Sequence, residues 1–193
     1  MQDDFRVTLA DIESGLDRLR RRTLLAALEP GLAPSRTRSL LSACGLPHSG
    51  QVEALYAWRD GTEAAGVESV DDIHLFPGFY LLALEDAVAN YRTFVTDQRW
   101  TTGWLPIFAN GGGDFYVTDL SGDTVGVVRH FRIEETEHPI EFLTIHDMLM
   151  TIAAGFRRGV FFVDGDGYLE MDDLAFGFLA AELNPRVPWW ASF

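Results

Sequence analysis

WLPIFANGGGDFYVTDLSGDTVGVVRHFRI, residues 104–133, decides the fold class. It holds two short aromatic and β-branched runs, 104–108 and 114–120, separated by Ala-Asn-Gly-Gly-Gly, and a third, 125–133, reached through Ser121-Gly122-Asp123. Such side chains suit a pleated surface, and Asn and Gly supply the backbone angles of tight turns. In the third run, alternation puts Val125, Val127, Arg129, Phe131 and Ile133 on one face and Val128, His130 and Arg132 on the other. Strands joined by such short connections pair antiparallel, so the centre of the chain is a meander rather than a parallel doubly wound sheet.

C-terminal to the meander, an acidic linker leads to Ile145, Met148, Leu149, Ile152, Ala153 and Phe156, the stripe of an amphipathic helix laid across the sheet. GVFFVDGDGYLEM reads as two strands around a turn, and DDLAFGFLAAEL as a final, largely apolar helix opened by Asp172. The tail NPRVPWWASF has two prolines and cannot extend that helix, so Trp189 and Trp190 are expected to pack back onto the body. N-terminal to the meander, a short strand at 79–82 feeds a helix marked by Leu84, Ala87, Val88, Tyr91 and Val95. Residues 61–72 are small and acidic and read as a surface loop. Helices are predicted at 52–58, at 35–44 with Gly45 closing it, and from a capping box at Thr8 and Asp11 to Glu29, where Pro30-Gly31 stops it. Arg18, Arg20, Arg21 and Arg22 read as one solvated face pairing with the protein's own acids, or else as a docking patch. The expected architecture is α+β: a mostly antiparallel sheet flanked by helices over 46–193, with a helical N-terminal extension, 1–45, packed on it.

Composition narrows the partners. The chain carries 29 acids against 15 cations, all of them arginine, for a net charge of −14. A protein that neutralises phosphates presents clustered cations, so nucleic-acid binding and docking on an anionic membrane are disfavoured. Residues 1–60 hold eight arginines and eight acids, whereas residues 61–193 hold seven and twenty-one, so the whole excess lies in the latter part. That distribution suits a basic protein partner. There is no signal-like apolar run near the start and no uninterrupted apolar stretch of about 18 residues, and Cys44 is the single cysteine, so a cytoplasmic setting is expected.

No chemical motif stands out. Asp164, Asp166 and Gly167 imitate part of a calcium loop, but its first ligand position falls on Phe162, which has no side-chain oxygen, and the flanks are strand-like. Gly111-Gly112-Gly113 precedes a strand and Asp114, not the helix a phosphate cradle needs. His130, His138 and His146 match no compact ligand spacing, and Cys44 has no acid–base partner near it in sequence. No catalytic residue, metal or cofactor is expected from these residues.

The order of GLPHSGQVEALYAWRDG, HLFPGFYLLALEDAV, WLPIFANGGGDFYVTDL, VVRHF, the TIHDMLMTIAAGF helix and FFVDGDGYLEM resembles the SUKH superfamily, which includes yeast cell-wall-assembly regulators and bacterial toxin-immunity proteins. The likeness spans residues 45–190 and rests on Trp58 with Asp60 and Gly61, the Leu84-Glu85-Asp86-Ala87 helix start, and Trp104, Pro106 and Phe108 leading through Gly113 to Asp114 and Asp119. Physically these residues read as structural: Trp58, Trp104 and Phe108 as core anchors, the glycines as turn formers, Asp114 and Asp119 as turn caps or as exposed acids. The resemblance implies an intracellular inhibitor that binds and occludes a toxin domain, a nuclease for instance, or else a scaffold or regulatory protein. Contact candidates are Asp60, Glu63, Glu68, Asp71, Asp72, Asp114, Asp119, Glu134, Glu135, Glu137 and Glu141. A small-molecule pocket on the sheet, lined by Phe79, Tyr80 and Phe115, is a third alternative.

Overall fold

A computed structural model describes residues 2–193. The quoted run forms the middle of a five-stranded antiparallel sheet in the order β3 (Tyr80–Leu81), β4 (Trp104–Ala109), β5 (Phe115–Asp119), β6 (Val128–Phe131) and β7 (Ile140–Phe142). Between β4 and β5, Gly111 and Gly113 hold φ of 79° and 105°, angles only glycine takes without strain. The α+β class with a helical N-terminus is as the sequence predicts.

The third strand is shorter than its alternation suggests. The Asp119 carboxylate accepts from the Ser121 backbone N–H and the Thr124 hydroxyl, winding residues Gly122–Thr124 into a 3-10 turn that leaves Val125 exposed and delays the strand until Val128. The acidic linker is likewise not all linker. Residues 140–142 pair with β6, with Val128 opposite Phe142 and Arg129 opposite Ile140, so Glu141 is the extra residue of a β-bulge.

Helix α1 (Gln2–Arg18) starts nearly two turns before the predicted capping box. Phe5 extends the buried Leu9, Ile12 and Leu16 stripe, and the Thr8 hydroxyl donates to the Asp4 carbonyl from inside the helix instead of capping it. The helix also fails to reach Glu29. The backbone turns at Arg20, with φ of 59°, into a short α2 (Arg22–Ala27) and a strand β1 (Leu28–Pro30), which pairs with β2 (Arg59–Thr62). The predicted 61–72 loop therefore begins as a strand, and it ends in a 3-10 turn, Val70–Ile73, capped reciprocally by Ser69 and Asp72.

Between these elements lie α3 (Pro34–Ser42), α4 (Gly50–Trp58) and α5 (Leu84–Phe94), and after the sheet come α6 (Ile145–Arg158), the hairpin β8 (Phe161–Val163) and β9 (Leu169–Met171), and α7 (Asp173–Leu183). The two faces of the central sheet are covered differently. Phe94 of α5 meets Phe115 and Phe131 on one face. Tyr116, His130 and Phe142 on the other share a cavity wall with Met148 and Ile152 of α6. Helix α6 is buried on nearly every side, Thr151, Ala154 and Gly155 included, because α1 and α7 pack against it as well as the sheet. A Cβ on Gly15 would stand 2.5 Å from the Phe156 ring, so glycine lets α1 seat directly on α6. In the tail, Trp190 is buried and its indole donates to the Glu141 carbonyl at 2.6 Å, while Trp189 stays half exposed. Among the described residues no helix is long and apolar enough to cross a membrane.

Candidate functional site

The residues that carry the sequence resemblance hold the fold together. The Trp58 indole donates to Glu13 of α1 at 3.0 Å, where Arg59 also lands. The Asp60 carboxylate accepts the Leu84 backbone N–H at 2.9 Å and so caps α5 from a neighbouring strand. Burial foremost, with help from Glu85 and Asp86, raises its pKa. At Gly61, with φ of 86°, a Cβ would come within 2.3 Å of the Ala83 nitrogen, so only glycine admits this contact. Trp104, Pro106 and Phe108 are buried in β4.

The eleven candidate acids separate by environment. Glu63, Glu68, Glu134, Glu135 and Glu137 are exposed. Asp114 spends one oxygen on the Ile133 N–H and the other on Asn110, and Asp119 is consumed in the turn described above. Asp71 lies within the predicted surface loop but faces inward. It pairs with Arg21 at 2.9 Å, accepts the Leu169 N–H at 3.1 Å and lies 3.3 Å from His74. Arg21 therefore leaves the solvated arginine face predicted for it; its side chain is 7% exposed. Asp72 is half-buried in the 3-10 cap.

Glu141, grouped with the surface acids on sequence grounds, is 2% exposed. The bulge turns it onto the α6 side of the sheet, where it accepts from the Tyr116 hydroxyl at 3.0 Å and from Arg132 at 3.2 Å, with His130 at 3.6 Å. Burial and then this carboxylate hold the Tyr116 pKa far above its usual value. The cluster borders a cavity of about 260 Å³ closed by Phe79, Phe176 and Trp190. The three aromatics predicted to line one pocket do not share it: Phe79 does, Tyr80 opens onto a different cleft, and Phe115 faces α5 on the opposite side of the sheet.

The surface feature missed by the sequence reading is α7. Leu174 and Phe178, one turn apart, are 61% and 54% exposed. Exposed acids flank them: Glu170, Asp172 and Asp173 before the stripe, and Glu182, which pairs with Arg158, after it. A helix apolar on all sides normally signals complete burial, and that hid the stripe. The spacing of Leu174 and Phe178 between acids was its visible trace. Among the described residues, no group of three or more His, Cys, Asp or Glu side chains is arranged to hold a metal ion. Compared with known proteins, the chain matches no family model and no curated protein.

Proposed function

We propose that this chain is a non-enzymatic binding protein of the SUKH kind, an intracellular immunity protein that occludes a basic toxin domain. The observation that carries this reading is the exposed Leu174 and Phe178 pair of α7, set among exposed acids on a chain of net charge −14. Large apolar side chains held in water at such a site are the usual anchors of a protein interface, and a surrounding rim of one charge steers and selects a partner of the other. The loop acids Glu134, Glu135 and Glu137 are all exposed and extend the anionic surface. A nuclease cleft is basic because its substrate is a polyanion, so an acidic occluder fits it. The structural work done by Trp58, Asp60 and Gly61 agrees with a motif that marks a fold rather than a reaction.

The test is binding to the product of the neighbouring gene, measured at low and high salt. Nanomolar binding that weakens with salt, and falls at least about tenfold in Leu174→Asp or Phe178→Asp, is expected. No binding, or binding indifferent to both changes, overturns the reading.

A further inference from the structure

Three of the seven arginines in residues 61–193 converge on one open cleft of about 780 Å³ at the β6 edge, walled by Trp104 and Trp189. Two of them are already engaged. Arg99 is held by Asp97 and the Ile133 carbonyl, and Arg132 by Glu141, with its guanidinium lying over the Trp189 ring at 5.6 Å. Arg129 is different. It is half-buried, lies 5.4 Å over the Trp104 ring and donates to the His138 carbonyl, but among the described residues it has no ion-pair partner, and its Nε is buried without an acceptor. Burial lowers the Arg129 pKa and the charge of Asp119 offsets this only in part, so an anion beside the guanidinium is favoured.

The atoms around it are of one chemical kind. His138 accepts the Arg132 backbone N–H on Nδ1, which places the ring proton on Nε2, and that Nε2 is buried without a partner. The Trp104 indole N–H is also buried and unpartnered. Among the described residues, three that line one cleft thus each carry a buried N–H without an acceptor just beneath its surface, and what satisfies donors is an acceptor. Burial, and then Arg99, Arg132, His130 and Arg129, lower the His138 pKa, as expected of an imidazole crowded by cations with too few anions among them. Glu135 and Glu137 stand on the same cleft and are exposed. Together with the arginines they suit a single anionic group carried on an otherwise uncharged body that the indoles on the cleft wall can contact.

We propose that this cleft binds a small organic anion, a carboxylate or phosphate group on a planar ring, with Arg129 and His138 meeting the charge and Trp104 and Trp189 flanking the ring. This site is separate from the α7 surface and does not depend on the protein-binding reading. It is tested by titrating the protein with benzoate, phenyl phosphate, inorganic phosphate and, at matched ionic strength, chloride, following indole fluorescence and the thermal midpoint. Saturable quenching with a raised midpoint is expected for benzoate or phenyl phosphate and not for chloride; whichever of the two wins identifies the anionic group. Arg129→Gln weakens the response at least tenfold, and Trp189→Ala, at an exposed position, weakens the ring-bearing anions more than inorganic phosphate. Responses no greater than with chloride, or unchanged in both variants, overturn the proposal. So does a chain in which Glu135→Gln with Glu137→Gln is as destabilising as Arg129→Gln while no anion binds, because those glutamates are then the counter-charge.

Discussion

Arg21 and Arg129 are both withdrawn from solvent, yet they meet opposite surroundings. Arg21 enters a closed clasp: Asp71 supplies its counter-charge, the Asp71 and Gly167 carbonyls accept from it, and the same Asp71 carboxylate receives the Leu169 N–H of β9. Arg129 stands at an open cleft with an aromatic ring and one carbonyl. The first arrangement has its counter-charge inside the fold, although the Arg21 Nε is buried without an acceptor, and it ties the α1–α2 junction to the β8–β9 hairpin. The second is short of acceptors. A buried charge whose requirements are met internally belongs to the architecture, and one whose requirements are unmet points outward to a ligand.

The contrast can be broken by mutation. Asp71→Ala leaves Arg21 buried and unpaired and should lower stability by about 3–5 kcal/mol in urea unfolding. A loss under about 1 kcal/mol means the clasp is slack and the comparison fails. Glu141→Ala, which strands the Tyr116 hydroxyl and Arg132, should cost about 1–3 kcal/mol by the same measurement. Acid probes the histidines beside each arginine. Burial foremost lowers the pKa of His74, next to the clasp, and of His138, next to the cleft. Each then binds its proton more readily in the unfolded chain, whose histidines titrate near about 6.5. Their contribution is complete above that pH and is lost as pH falls through it toward the folded values. Unfolding midpoints should therefore drop between about pH 7.5 and 5.5, by up to about 1.4 kcal/mol per pH unit for each group, and His138→Gln should flatten part of the slope. A flat profile removes both histidines from the account. Arg129→Gln, unlike Asp71→Ala, should change stability by no more than about 1 kcal/mol, since it loses a hydrogen bond to the His138 carbonyl but, among the described residues, no ion pair. Smallest of all, Leu174→Asp and Phe178→Asp should leave unfolding within about 0.5 kcal/mol, as expected of side chains more than half exposed to solvent.

Much of the fold was legible because its signals are local. Aromatic runs broken by Asn110 and the glycines announce β4 and β5, Thr144 and Asp172 accept the N–H groups of the helices they open, and Gly159, with φ of 69°, closes α6. What was not legible depends on direction. Arg21 stands among three exposed arginines, and nothing in Arg-Leu-Arg-Arg-Arg distinguishes the one that turns inward. Glu141 sits between Ile140 and Phe142, a pattern that suits a strand, but the acids just before it suggest a linker and a bulge has no signature of its own. The cleft was equally hidden, because its arginines come from the α5–β4 connection, from β6 and from the residue following β6, and meet only after the sheet pairs.

The seat of α1 on α6 also sets an order of events. Asp11 reaches Arg157 across 146 residues, and Gly15 closes onto Phe156 over a similar span. During synthesis Phe5, Leu9, Ile12 and Leu16 have only the partial cover of α2 and α4 until α6 has left the ribosome. Contacts of such separation are slow to form, and an apolar stripe that waits for them is exposed to aggregation meanwhile. Helix α1 is thus made well before the helix that seats it, and its final locking is timed by residues about 140 positions further along the chain.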